Sequence, residues 1–283
     1  MRRPAPTVSG PTLRKPARHL VEPVMGTMVS LRLRDPAPAA LLDRVLAWLH
    51  RVDRVFSTYR ADSQISRLAS GATTLDRCDP DVREVLELCE QLREASRGYF
   101  DAWAAGPGLL DPSGVVKGWS VEMASELLAA EGFADHLINA GGDVQALGER
   151  EPGRPWRVGV SDPHHPERLL TVVEARDLAV ATSGIAERGC HVLDPHRRVP
   201  ADQLASVTVV GPSLTWADGY ATAALAMGLA APDWLAGLDG YQALVVDTHG
   251  GAWWTPGFDA TRARGRWRGA PAARGARGRA AER

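Results

Sequence analysis

Met28 to Arg34 alternates apolar and polar side chains, the period-two pattern of a strand with one buried face. Just ahead of it, Met25-Gly26-Thr27 places a glycine where a turn or a close backbone approach to a ligand can form. The period then changes. Leu42, Val45, Leu49, Val52 and Phe56 recur at helical spacing and predict an amphipathic helix over 40–56. Asp79-Pro80 opens a second helix, with Asp79 as cap, a stripe of Val82, Val85, Leu86, Cys89 and Leu92, and Gly98 as its end. A third helix is expected from about Ser120 to Glu131, stopped by Gly132.

From His136 onward the pattern is strand-like. His136 to Ala140 reads as a short strand followed by the tight turn Gly141-Gly142-Asp143. Trp156–Val160, Leu169–Val173, Leu178–Ala181 and Ala205–Val210 follow one another too closely for helical crossovers, so antiparallel pairing is expected. A helix at Thr215 to Met227, a short one near Asp233 and a last strand at Ala243–Asp247 complete the series. The fold class is therefore α+β, antiparallel sheets with packed helices, and no solenoid repeat is present.

A chain of 283 residues with 45% hydrophobic content can bury a substantial core. Residues 1–18 are basic and proline-rich, and 259–283 form an Arg/Gly/Ala-rich tail. Both are expected to be disordered, leaving one domain over 19–258. A formal net charge of -1 argues against general nucleic-acid binding. No run approaches the roughly 18 apolar residues of a membrane helix, so no stable membrane insertion is expected. The three cysteines, Cys78, Cys89 and Cys190, form no Cys-x-x-Cys pair, which disfavours a thiolate zinc site.

Candidate chemistry concentrates in Ser213 to Gly228. Asp218 and Thr222 stand one helical turn apart, on one face, and offer two hard oxygen donors to a cation such as Mg2+. The same spacing also suits a cap or a solvent-facing polar pair. Asp111-Pro112-Ser113-Gly114 is a good turn, and a loop there could lend the Gly114 carbonyl to a cation while Lys117 meets phosphate. Thr182-Ser183-Gly184 ends a strand with hydroxyls and open backbone. Tyr59 can stack on a flat ring or simply pack. Asp143 after the glycine pair reads as structural, and His164-His165 as a surface loop. His191, before Val192-Leu193-Asp194-Pro195, suits either a hydrogen-bonded edge position or a general base.

Eight clusters occur in one order along the chain: Met25-Gly-Thr-Met-Val-Ser-Leu31, Phe56-Ser-Thr-Tyr through Ser66, Gly98-Tyr-Phe-Asp101, Asp111 through Gly118, Asn139-Ala-Gly-Gly-Asp143, Ala181-Thr-Ser-Gly184, His191-Val-Leu-Asp-Pro195 and Ala217-Asp-Gly-Tyr-Ala-Thr222. This series, spanning about Glu22 to Val246, resembles the ApbE-like flavin transferases, Mg-dependent FAD:protein FMN transferases of a T-fold-related architecture. The resemblance implies FAD as substrate and Mg2+ held by Gly114, Asp218 and Thr222. It implies a flavin site at Met25, Tyr59, Tyr99, Phe100, Asp101, Asp111, Lys117, Thr182, Ser183, Gly184 and Leu193, with His191 and Asp218 catalytic. It also implies an acceptor flavoprotein or redox-complex subunit as partner.

Three departures stand out. The segment between Phe100 and Asp111 is shorter than in many members, Arg197-Arg198 replaces a small residue, and the lipoprotein signal of exported members is not found, which sets a cytoplasmic expectation. FAD pyrophosphatase activity and a non-catalytic flavin carrier are the alternative readings.

Overall fold

A computed structural model describes residues 17–106, 108–185 and 192–263. Residues 1–16, 264–283 and His191 lie outside the described residues. The ordered chain exceeds the expected 19–258: Ala17 and Arg18 begin the first strand, and Arg262 and Ala263 pair with Val173 and Val172.

The chain opens with a hairpin, β1 (Ala17–Val24) and β2 (Thr27–Ala37), joined by Met25 and Gly26. Both turn residues have positive φ, 56° and 68°, as a two-residue hairpin turn requires. Helices α1 (Ala39–Phe56), α2 (Gln64–Ala69), α3 (Pro80–Ala95) and α4 (Ser113–Ala130) follow. Next come β3 (His136–Ala140), β4 (Asp143–Leu147), β5 (Trp156–Ser161), β6 (Leu169–Ala175) and β7 (Leu178–Gly184). The short pair β8 (Leu193–Asp194) and β9 (Val199–Pro200) precedes β10 (Leu204–Gly211), α5 (Leu214–Met227), α6 (Ala231–Leu235), β11 (Gln242–Asp247) and β12 (Ala252–Trp254).

Eight strands form one antiparallel sheet in the order β1-β2-β3-β4-β7-β10-β11-β12. Helices α1, α4 and α5 cover one face, where Leu31, Ile138, Ala181, Val207 and Val245 meet Leu42, Leu49, Val121 and Leu225. The β5–β6 ribbon covers part of the other, packing Trp156, Val158 and Val173 on Val144, Val180 and Val210. Strand β10 is buried at every residue because it is covered on both sides. A second core lies among α1, α2, α3 and α4 around Ile65, Val85, Leu92 and Trp119. Burying Leu42 and Leu49, at 2% and 1% exposure, stabilises the helix–sheet contact by about 1.5–3 kcal/mol each.

The expected α+β architecture is observed, with corrections at particular elements. The third helix begins at Ser113, not near Ser120, because Gly114 and Gly118 hide a helical start that tertiary packing stabilises. The turn proposed at Gly114 is thus the first turn of α4. Asp79 stands at the N-cap of α3 but makes no capping bond; its Oδ2 accepts from Arg51 at 2.9 Å instead. Elements β1, α2, β4, β9 and β12 were not anticipated. Cys89 is buried in the core, as expected, and Gly98 (φ 84°) lies just beyond the end of α3.

His136 is fully buried at the start of β3. Its Nδ1 faces the Phe133 carbonyl at 2.7 Å, so Nδ1 carries the proton and Nε2 accepts from Ser125 Oγ at 2.6 Å. Burial pushes this imidazole below the ordinary histidine range, against the Phe133 carbonyl, which favours protonation. Below the unfolded value of about 6.5 the unfolded chain then binds more protons, so stability falls with falling pH. Urea unfolding between pH 7 and pH 5 is expected to show a steeper loss for the native sequence than for His136→Gln; equal slopes would remove His136 as the cause.

Candidate active site

Helices α4 and α5 touch through glycine. A Cβ built on Gly118 would lie 2.5 Å from the Leu214 carbonyl oxygen and 3.1 Å from Asp218 Cβ. One turn earlier, a Cβ on Gly114 would lie 3.3 Å from Thr222 Oγ1 and 3.0 Å from the Phe100 ring. The two glycines therefore oppose Asp218 and Thr222, level by level. The Gly118 amide donates to Asp218 Oδ2 at 3.1 Å, tying the carboxylate of one helix to the backbone of the other. Glu122, further along α4, secures the same pairing: its Oε2 accepts from Ser213 Oγ at 2.8 Å, the Thr215 amide at 3.0 Å and Thr215 Oγ1 at 2.5 Å. A carboxylate so placed also complements the positive end of the α5 dipole.

Around this contact a charged cluster forms. Lys117 Nζ lies 2.5 Å from Asp143 Oδ2 and 3.7 Å from Asp218 Oδ1. The nearer approach is an ion pair without hydrogen-bond alignment. Both carboxylates are buried, at 1% and 2% exposure. Burial pushes the Asp218 carboxyl up to about 7; Lys117 opposes the shift and Asp143 adds to it. Asp143 Oδ1 accepts from the Thr182 amide at 2.8 Å, which holds β7 beside the cluster. Ser183 Oγ and Thr222 Oγ1 are 3.2 Å apart, and Thr182 Oγ1 pairs with Thr208 Oγ1 at 2.8 Å.

The cluster floors a cleft of about 1050 Å³. Gly114, Lys117, Asp218 and Thr222 line its base, and Thr182, Ser183 and Gly184 its sheet side. Tyr99, Phe100, Asp101, Asp111 and Leu193 line a wall, and Met25 and Tyr59 the mouth. Every described residue selected from sequence thus borders one space. Asp101 and Asp111 are braced by local turns, accepting from the Trp103 and Ser113 amides at 2.8 and 3.0 Å. Tyr59 is 100% exposed, which rules out a packing role. Catalytic candidate His191 lies outside the described residues, although Gly184 and Val192, either side of its segment, both line the cleft.

Sequence reasoning missed two contributors. Asp143 is structural in holding Thr182, but it also pairs with Lys117; the buried acid after Gly141-Gly142 was visible, its partner was not. The end of β5 and the loop after it, from Gly159 to Pro163, line the cleft opposite the helices. Their alternation identified a strand without showing which way the ribbon folds. His164 is exposed on that loop, as anticipated, with Nε2 facing the Asp247 carbonyl at 3.0 Å.

A sequence model of the ApbE family matches residues 25–107 and 104–245. An FAD:protein FMN transferase of Vibrio cholerae is 28% identical over 277 aligned residues, covering 76% of this chain and 83% of that protein. One from Salmonella typhimurium is 31% identical over a shorter stretch, 42% of this chain and 37% of that protein. Among solved structures, the flavin transferase ApbE of Vibrio cholerae superposes with a TM-score of 0.75 at 22% identity, covering 86% of this chain and 98% of that one. At that identity the likeness speaks for the fold alone.

The glycine contact makes a direct prediction. Gly118→Ala forces α4 and α5 apart against backbone and is expected to cost about 1–3 kcal/mol in urea unfolding. Gly237→Ala, whose Cβ would meet only the Trp234 carbonyl at 3.5 Å, is expected to stay within about 0.5 kcal/mol of the parent. Equal effects would show that the contact is not tight.

Proposed function

The chain belongs to the ApbE family, and on that premise we propose that it transfers the FMN half of FAD to a serine or threonine hydroxyl of a protein, releasing AMP. The observation that carries the reading is the α4–α5 contact at the base of a cleft of dinucleotide size, where Lys117, Asp218, Thr222 and Ser183 converge. FAD brings a pyrophosphate whose charge must be offset where bonds to phosphorus change. Lys117 supplies one positive charge, oriented by Asp143.

The donor set suits Mg2+. Asp218, Thr222 and the Gly114 carbonyl are all hard oxygen ligands. Two buried carboxylates face one lysine, so the cluster carries excess negative charge that a divalent ion neutralises. The Gly118 amide, the ordinary helical partner of the Gly114 carbonyl, donates to Asp218, which leaves that carbonyl acceptor capacity for a cation. When bound, the ion polarises the phosphate oxygens and stabilises the leaving AMP.

In this reading the acceptor hydroxyl oxygen attacks the phosphorus of the FMN phosphate. The bond from that phosphorus to the bridging oxygen breaks, and the oxygen leaves with AMP. His191 takes the hydroxyl proton; the cleft-lining positions on both sides of its segment support this role. Thr182 and Ser183 present hydroxyls to the ribityl and phosphate groups. The partner in this reading is an acceptor flavoprotein or redox-complex subunit. No helix among the described residues is long and apolar enough to cross a membrane.

Mass spectrometry of a Ser/Thr peptide incubated with the protein, FAD and Mg2+ is expected to show the mass gain of FMN. Free FMN and AMP without labelled peptide would replace transfer with hydrolysis, and unchanged FAD would leave a carrier. Asp218→Ala is expected to abolish transfer with the fold retained by circular dichroism; full activity in that variant or in chelator would overturn the metal assignment. His191→Asn is expected to lower turnover by about 10² to 10⁴ at nearly unchanged FAD affinity. A parallel loss of affinity would make His191 a binding residue.

A further inference from the structure

One wall of the cleft has an outer edge unlike the surface around it. Residues 97–103 run along this wall, from Arg97 past the lining residues Tyr99 to Ala102, and end at Trp103. The β8–β9 hairpin packs against the start of the segment. His196 Nε2 faces the Arg97 carbonyl at 3.1 Å, and the His196 ring meets Tyr99 edge-on with centroids 4.5 Å apart. This contact sets the hairpin turn that carries Arg197 and Arg198 against the backbone at Arg97. Asp194 fixes that turn, its Oδ1 accepting from the His196 and Arg197 amides.

All three arginines are exposed, and none takes part in an ion pair among the described residues. The same lip displays apolar side chains: Trp103 at 48% exposure, Leu109 at 56% and Val199 at 39%. Scattered surface hydrophobics are ordinary. Here they and the three arginines all belong to the segments that supply one wall of the cleft, close in sequence to the lining residues Ala102, Ala104, Asp111, Leu193 and Pro195, and Trp and Arg are the side chains enriched in binding hot spots. None of these six residues lines the cleft itself. They flank a cleft of nucleotide size without entering it.

We propose that this lip is the docking surface for the acceptor protein and selects a segment carrying acidic and apolar side chains around its hydroxyl. The proposal rests on the transferase reading, because a protein acceptor needs contacts beyond the nucleotide. The carboxylates nearby, Asp101, Asp111 and Asp194, are each engaged by backbone amides, while the three arginines are exposed, so an acidic segment reaching this edge meets guanidinium groups first. Trp103 and Leu109 then bury apolar side chains that flank the acceptor hydroxyl.

The test uses short threonine-centred peptides with acidic, neutral or basic flanks, each fluorescein-labelled. Binding is read by anisotropy with FAD and Mg2+ present, and transfer by mass gain. The acidic peptide is expected to bind about tenfold more tightly than the basic one, with the margin removed by Arg197→Glu/Arg198→Glu and weakened by Trp103→Ser/Leu109→Ser. FAD affinity, read by flavin fluorescence, is expected to be unchanged in both variants, which also reports an intact cleft. Equal binding of acidic and basic peptides overturns the proposal. So does a loss of FAD affinity on charge reversal, which would assign the arginines to the nucleotide. An acidic preference that persists while no peptide gains FMN supports the surface and overturns the transferase reading instead.

Discussion

Close contact between two helices governs this site. Gly118 lies under the Leu214 carbonyl with no room for a methyl group, and that contact sets the distance from α4 to α5. Everything chemical at the base of the cleft depends on it. Asp218 receives the Gly118 amide because the helices are this close, Lys117 reaches both Asp143 and Asp218, and Thr222 meets Ser183 of the adjoining strand. Helix α5 is built from small side chains for the same reason. Ala217, Ala221, Ala223 and Ala224 are fully buried against sheet and helices, so Asp218 and Thr222 sit in a tightly packed scaffold.

The electrostatic arrangement follows from where those polar positions lie. Burying two carboxylates with one lysine is unfavourable unless further positive charge arrives. The raised pKa of Asp218 expresses that cost in the protein alone. Strain of another kind occurs at the mouth: Met25 adopts φ 56°, a left-handed conformation that disfavours most side chains by about 1–2 kcal/mol. The β1–β2 turn requires it, and it sets the Met25 side chain at the cleft border.

Much of this was legible in the sequence because the residues involved act locally. Helix α1 and strand β3 appear within a residue of their expected bounds, since their apolar periods are uninterrupted. The i, i+4 pair on α5 announced its own geometry. Other features depend on what lies across the molecule. The start of α4 was disguised by two glycines that reduce helix propensity but permit the packing, and β4 was hidden because it is short, follows the Gly141-Gly142 turn directly and opens on Asp143, which reads as a turn residue although it is buried. Tyr59 could not be assigned from its type, as only the fold shows that nothing packs on it. The link from Lys117 to Asp143 spans two elements and has no signature along the chain.

Glu122 has a mechanical consequence. By gathering three donors from the first turn of α5 onto a carboxylate of α4, it joins the two helices at a second point beyond the glycine contact. Two fixed points oppose sliding and swinging about either one, so the helices resist being moved separately. Widening of the cleft for entry of a bulky molecule then falls to its loops and ribbon, and the floor keeps its shape while the walls give way.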